Sequence, residues 1–383
     1  MIDTPALAAV GSARHAALRD GFRAARAAGA RRHRDIAASL EVGEGVLIAA
    51  HAGAGPQGDG GAALVATRLR PEWPALVAAL PALGTVMALT RNASCVHEKT
   101  GRYEQVGGGG AVGLVLGPDI DLRVFYRVWA HGFAVHETYA DGDRPPQRSL
   151  QFFDAAGTAL HKVFAGPGTD EAAWQALVER ARAADQQPGI AVAPVDRRPA
   201  DRPDAEVDVA AFRDDWAALR DTHEFFGLLK RHALGRVQAL RLADPRYVQP
   251  VEPGPGGAVR ELLETAAASA LPIMVFVGNP GMIQIHTGPV KRVQVLGPWL
   301  NVLDPGFNLH LREDHVASAW VVRKPTIDGL VTSLELFDAE GETIAMLFGE
   351  RKPGRPELAD WRRLVGRLVG DPAWSEEGTC ASC

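Results

Sequence analysis

Hydrophobic and polar positions along the chain fall into two rhythms, and each rhythm occurs twice. Residues 14–40, "RHAALRDGFRAARAAGARRHRDIAASL", read as helix and are followed by strand-like runs such as "AVGLVLG" (111–117) and "LRVFYRVWAHGFAVHE" (122–137). Later, Phe212, Trp216, Leu219 and Phe226 recur at spacings of four, three and seven, the period of one helix face. The strand-like runs "VQVLGPWLNVL" (293–303) and "ASAWVVRKP" (317–325) follow. Helices grouped ahead of hairpin-linked strands predict an α+β fold with antiparallel sheets.

The recurrence is a duplication. "SLQFFDAAGTALHKVF" (149–164) returns as "SLELFDAEGETIAMLF" (333–348), each a strand, a D-A-x-G turn and a strand. "VMALTRNASCVHEKTG" (86–101) pairs with "IMVFVGNPGMIQIHTG" (273–288), and "LGPDIDLRVF" (116–125) answers "VLDPGFNLHL" (302–311). Three blocks in one order at a nearly constant offset mark a tandem repeat of two similar halves. Each half is expected to be a large antiparallel β-sheet with N-terminal helices packed against it. Residues 186–208 are rich in Pro, Asp and Arg without a period, so they are read as a linker with too little apolar surface to offset its ordering entropy. The expected division is therefore 1–185, a linker at 186–208, a second half at 209–372 and a tail at 373–383.

Composition narrows the class. A net charge of −5 and a pI near 6.2 give no global attraction for nucleic acid or an anionic membrane. No apolar run reaches about eighteen residues, and the N-terminus lacks a basic segment followed by an apolar core. The expectation is a cytoplasmic protein with no membrane insertion. Cys95 stands alone, and Cys380 with Cys383 forms a C-x-x-C on a tail, read as having no role rather than as a labile metal or redox contact.

Several motifs imitate chemistry. "GGGAVG" (108–113) matches a dinucleotide fingerprint by letter but runs into a strand instead of a helix. "RHRDIAASLEVGEGVLIAA" (32–50) resembles a DNA-binding helix-turn-helix, yet its second helix has almost no side chains that could reach bases or phosphates. A helical hairpin covering the sheet is the preferred reading. His97–Glu98 and His136–Glu137 are neighbours on strands that point to opposite faces, and are read as ordinary strand residues.

His223, in "DTHEFFGLLKRH" (221–232), is the unresolved position, because it falls on the apolar stripe where Leu or Phe is expected. A lone histidine there is either a half-buried structural group or a ligand, since neutral imidazole is the commonest protein metal ligand and holds haem iron from helices. The local pattern leaves both open.

Taken together, "LTRNASCVHEKTGRY", "IDLRVF", "SLQFFDAAGTALHKVF", "DTHEFFGLLKRH", "VFVGNPGMIQIHTGPV", "ASAWVVRKPTIDGLVTSLELFDAEG" and "FGERKPG" resemble, in order, the bacterial cytoplasmic haem-trafficking and haemin-degrading proteins of the HmuS/HemS family. The resemblance runs from about residue 20 to residue 370. It implies haem b as ligand or substrate, with an external electron donor if the macrocycle is opened. An inner-membrane haem transporter and a haem oxygenase are the implied partners. The alternative within the resemblance is a non-catalytic carrier that delivers intact haem.

Carried over by position, the resemblance makes His223 the axial iron ligand and Arg123 the distal arginine, which is also the candidate catalytic residue if the protein is an enzyme. A guanidinium has only donors, so Arg123 would hydrogen-bond a water or oxygen ligand rather than bind iron. Arg236, Lys324 and Arg351 are implied near the propionates, and Phe276 and Phe348 along the pocket. Phe348 and Met346 depart from the tyrosine and glutamine of the best-known members. His310 occupies the second-repeat position that corresponds to Arg123.

Overall fold

In the computed structural model, which describes residues 4–55, 63–139, 144–194, 200–351 and 354–375, both rhythms become elements. The first half contains α1 (Thr4–Ala27), α2 (His33–Ser39), α3 (Glu44–Ala49), β1 (Ala63–Arg68), α4 (Trp73–Ala79), β2 (Gly84–Arg91), β3 (Cys95–Gly101), β4 (Val106–Gly109), β5 (Val112–Leu116), β6 (Asp121–Phe125), β7 (His131–Thr138), β8 (Gln147–Phe153), β9 (Ala159–Thr169) and α5 (Glu171–Ala181). The second half contains α6 (Val209–Ala217), α7 (Glu224–Arg231), α8 (Arg236–Leu242), β10 (Val248–Val251), α9 (Ala258–Ser269), β11 (Ile273–Asn279), β12 (Met282–Gly288), β13 (Val293–Leu296), β14 (Trp299–Asp304), β15 (Phe307–Arg312), β16 (Ser318–Thr326), β17 (Gly329–Phe337), β18 (Thr343–Gly349) and α10 (Ala359–Val369).

The strands form two antiparallel nine-stranded sheets. Neighbours run β1-β7-β8-β9-β2 in one and β10-β16-β17-β18-β11 in the other, the same order built twice. The chain divides into two units between residues 196 and 197, inside the expected linker, with residues 92–97 grouped with the second unit and 279–283 with the first.

Alternation along the strands decides what covers each face. In the second unit, Val321, Leu334, Leu336 and Leu347 pack with α9 and α10. Val322 and Phe337 pack with Phe212, Trp216, Phe225 and Leu228 of α6 and α7. In the first unit, α1–α3 cover Phe133, Val135 and Phe153, while Trp73, Phe152 and Leu160 fill a separate cluster with α4 and α5.

The structure corrects three readings. The stripe from Phe212 to Phe226 is not one helix face, because α6 ends at Ala217 and α7 starts at Glu224. Phe225 is the inward residue, with Leu228 and Leu229, and Phe226 is 77% exposed. Full burial of an aromatic side chain stabilises by roughly 1.5–3 kcal/mol, so the register that buries Phe225 against Trp216 prevails. Secondly, the described parts of the linker are held by hydrogen bonds together with two apolar anchors, Ile190 against the first-unit core and buried Val207 in the second. Gln186 bonds both backbone groups of Arg68, the Gly189 N–H donates to Ala49, and Arg202 donates to His232. Thirdly, Glu137 is buried and ion-paired with Arg26 and His33, so it is no ordinary strand residue.

The imitations dissolve. Gly108 pairs with Gly113 across the β4–β5 hairpin, where Gly108 and Gly110 adopt positive φ. Leu47, Ile48 and Ala49 make α3 a buried helix, which presents no face to a nucleic-acid groove. Cys380 and Cys383 lie outside the described residues.

Two buried histidines set a pH limit. Burial lowers His51 to about 4, although its Nδ1 lies 3.0 Å from the Leu47 carbonyl. Burial lowers His161 to about 3, with Thr90 Oγ1 at 2.9 Å and Tyr103 Oη at 2.6 Å from its two ring nitrogens. Both are neutral in the folded state and bind protons more readily once unfolded. Their contribution is therefore complete above the ordinary value of 6.5 and lost as pH falls toward the folded values. The melting temperature should be level above pH 7 and decline from pH 6.5 toward 4, with a shallower decline in His51→Gln. A flat profile in that window would contradict the two neutral assignments.

Candidate functional site

The turn before α7 presents His223. Asp221 Oδ1 accepts the His223 backbone N–H at 2.8 Å and lies 2.6 Å from its Nδ1. Glu224 reaches back to the Arg220 N–H at 2.9 Å, closing the turn from the other side. These hydrogen bonds, His223's backbone N–H first, hold the Asp221 carboxyl below the usual range. With Phe225, Leu228 and Leu229 facing inward, helical geometry carries positions 223, 226 and 230 to the opposite face. The His223 side chain is 93% exposed, so it is neither the half-buried group nor the stripe residue that the periodicity suggested.

An imidazole whose Nδ1 is engaged by a carboxylate has a fixed orientation and a free Nε2. That is the arrangement by which proteins prepare histidine for a metal. Exposed neighbours extend the surface. Phe226 stands one turn along, and the β16–β17 turn is tied to the same region by the Ile327 N–H, which donates to Arg220 O at 3.0 Å. Arg351 acts electrostatically on Asp221 and lies 3.8 Å from Asp328.

Behind α7 lies a buried charged triad. Glu335, 0% exposed, accepts from Lys324 Nζ at 2.6 Å and from Arg236 Nε at 2.8 Å. Burial alone would raise its carboxyl, but Arg236 and Lys324 outweigh burial and hold it far below the ordinary range. Both cations also stand over the Phe225 ring, at 4.6 Å for Lys324 and 5.0 Å for Arg236. These two residues are therefore held beneath the helix as part of a triad with one net positive charge, and are not the solvated charges their residue types suggest.

Arg236 continues to Met346, with Nη2 3.2 Å from Sδ. Met346 pairs with Phe276 across β11–β18, and Phe348 pairs with Met274, so all four share one sheet face. They are half-buried, and Phe276 and Phe348 meet edge to face at 5.0 Å. In the second unit Phe225, Arg236, Lys324, Met346, Phe276 and Phe348 are thus linked by successive contacts, while His223 stands on the outer face of α7. Arg123 lies in the first unit, on β6, ion-paired with Asp121 and donating to Leu122 O at 3.1 Å. His310, at the corresponding second-unit position, has Nδ1 2.6 Å from Asn301 Oδ1.

Sequence reasoning missed Asp221 and Glu335. A carboxylate two residues before a histidine and one two residues after a strand serine were the signals. Among the described residues no group of three or more His, Cys, Asp or Glu side chains could hold a bare metal ion, and no helix is long and apolar enough to cross a membrane.

These features define a duplicated α+β protein that offers an oriented, exposed imidazole and, in the same unit, a half-buried apolar shelf with cations next to it. The family model of the haemin-degrading HemS.ChuX domain matches residues 45–181 and again residues 233–368. The chain belongs to that family and carries its domain twice. It is 42% identical over 305 residues to the hemin transport protein HmuS of Yersinia pestis, spanning 79% of this chain and 86% of that protein. Among solved structures it is similar to holo-PhuS, a heme-binding protein from Pseudomonas aeruginosa, at 48% identity and a TM-score of 0.86 over 92% of this chain and 99% of that one. The heme degrading enzyme ChuS of Escherichia coli O157:H7 is similar at 37% identity and a TM-score of 0.82, covering 94% and 99%.

Proposed function

We propose that this chain is a cytoplasmic haem-binding protein of haem uptake and iron acquisition, with His223 Nε2 as the protein ligand to the iron. The observation that carries the reading is the exposed His223 ring locked to Asp221 in a chain of this family. The residues present suit haem. The shelf of Met274, Phe276, Met346 and Phe348 matches an apolar macrocycle, and the net cation of the Arg236–Lys324–Glu335 triad, with Arg351, suits its carboxylates. Bound haem supplies the redox and ring chemistry. The chain binds it, orients it and shields it from water.

Haem would arrive from an inner-membrane transporter. It then either passes intact to a separate oxygenase or is opened on this chain with electrons from an external donor. A reductant added to the haem-loaded protein separates the two outcomes. Retention of the Soret band marks a carrier, and decay with release of a tetrapyrrole product or iron, persisting with catalase, marks an enzyme.

By the family resemblance we assign Arg123 the role of a donor that would hydrogen-bond a water or oxygen ligand of bound haem. Arg123→Ala should retain haem affinity within about tenfold, because the imidazole bond is intact and only a charge-assisted hydrogen bond is lost. Its ferric spectrum should shift, and any ring opening should slow. Wild-type spectra and turnover in this variant would remove Arg123 from the site.

A further inference from the structure

The imidazole of His223 is set apart by what holds it. Asp221 Oδ1 accepts the His223 backbone N–H at 2.8 Å and lies 2.6 Å from Nδ1 of the same residue. An ionised carboxylate only accepts, so one oxygen fixes both the turn and the tautomer, with the proton on Nδ1 and the lone pair on Nε2. The other carboxylate of this turn, Glu224, reaches back to the Arg220 N–H at 2.9 Å instead. His232, at the far end of α7, is held the other way round, with Nε2 2.8 Å from Asp215 Oδ2.

The ring and its carboxylate belong to the second repeat alone. Glu41 and Ala233, 192 residues apart, both adopt positive φ, and the same shift relates Gly43 and Gly235, which cap α3 and α8. At that shift Asp221 answers to Gly29 and His223 to Arg31. The first copy has neither member of the pair, and the second has both.

A carboxylate on Nδ1–H does more than aim the ring. It raises the basicity of the other nitrogen, and hydrogen bonding around an axial ligand is one of the levers that set the potential of haem iron. The sign follows from charge. Ferric iron carries one more positive charge than ferrous, so a stronger donor backed by an anion favours the ferric form, as an opposite charge favours any charged form beside it. Arg351 offsets part of the Asp221 charge through space, and it is shared with Asp328 at 3.8 Å.

We propose that Asp221 is a positioning residue that sets the oxidation-state preference of the site: through Nδ1 of His223 it makes the chain a holder of ferric haem, loosened by one-electron reduction. This rests on the reading of His223 as the iron's ligand. The electron comes from an external one-electron donor and takes Fe(III) to Fe(II), and no covalent bond of the chain is made or broken.

Full-length protein is titrated with ferric haem and, anaerobically with excess dithionite, with ferrous haem, and the midpoint potential of the complex is read by spectroelectrochemistry. The wild type should bind ferric haem more tightly than ferrous. Asp221 is 60% exposed, and Asp221→Asn keeps an oxygen acceptor for both N–H groups, so the substitution removes the charge and leaves the fold. It should lower the ratio of ferric to ferrous affinity about tenfold, the lower end of the effect of removing a hydrogen-bond partner from a metal-ligating histidine. For a one-electron couple that raises the midpoint potential by about 59 mV. The ferrous iron–imidazole stretch should fall in frequency. Glu224→Gln neutralises a carboxylate one residue from the ring without touching it, and should leave the potential near the wild-type value. A wild-type ratio and potential in Asp221→Asn, an equal shift in Glu224→Gln, or tighter ferrous than ferric binding by the wild type overturns the proposal. Failure of the ligand reading is seen separately, as ferric binding by His223→Ala equal to that of the wild type.

Discussion

His223→Ala is expected to lose haem affinity by about 100-fold or more and to change the ferric spectrum. Removing a hydrogen-bond partner of a metal-ligating histidine typically costs about 10–100-fold, so deleting the ligand itself should cost at least the upper end of that range. The fold should be unaffected, because the side chain is 93% exposed and its ring bonds Asp221, itself a surface residue. Added imidazole should restore part of the wild-type spectrum by occupying the vacated position. His232→Ala is the matched control, since that ring ends the same helix but has Nε2 bonded to Asp215 at 2.8 Å. An unchanged titration and spectrum in His223→Ala would leave the iron without the proposed ligand.

Glu335→Gln should have the largest effect on stability. The substitution keeps the shape but removes the only negative charge in a triad whose Lys324 is itself only 3% exposed. Breaking a buried pair by removing one partner costs about 3–5 kcal/mol, most of it from the charge left unpaired. Urea unfolding should show a lower midpoint at unchanged slope. Replacing both partners, as in Glu335→Leu with Lys324→Met, should cost much less, because no buried charge is stranded. If the single and double variants were equally unstable, packing and not charge pairing would be what the triad supplies.

Of the proposed site, the residue types were visible and their roles were not. The duplication could be read directly, because hairpin signals and strand alternation are local and survive divergence between copies. His223 could be singled out as an anomaly in a hydrophobic period. Its environment could not, since the period could not say whether Phe225 or Phe226 turns inward. Two short helices with a carboxylate-closed turn between them settle that choice, and with it the exposure of the imidazole.

What the sequence alone determined is the α+β class, the order of helices before strands and the twofold repeat, along with several candidate residues, His223 among them. These follow from short-range periodicity and from self-similarity along one chain. Only the tertiary structure decided which of those residues act together. The pairing of Glu335 with Lys324 and Arg236, or of Glu44 with Lys162 and Arg91, joins positions from 11 to 118 residues apart on different elements. Packing a helix on a sheet brings such charges together out of water, where each must be answered by another, and no local pattern records that requirement.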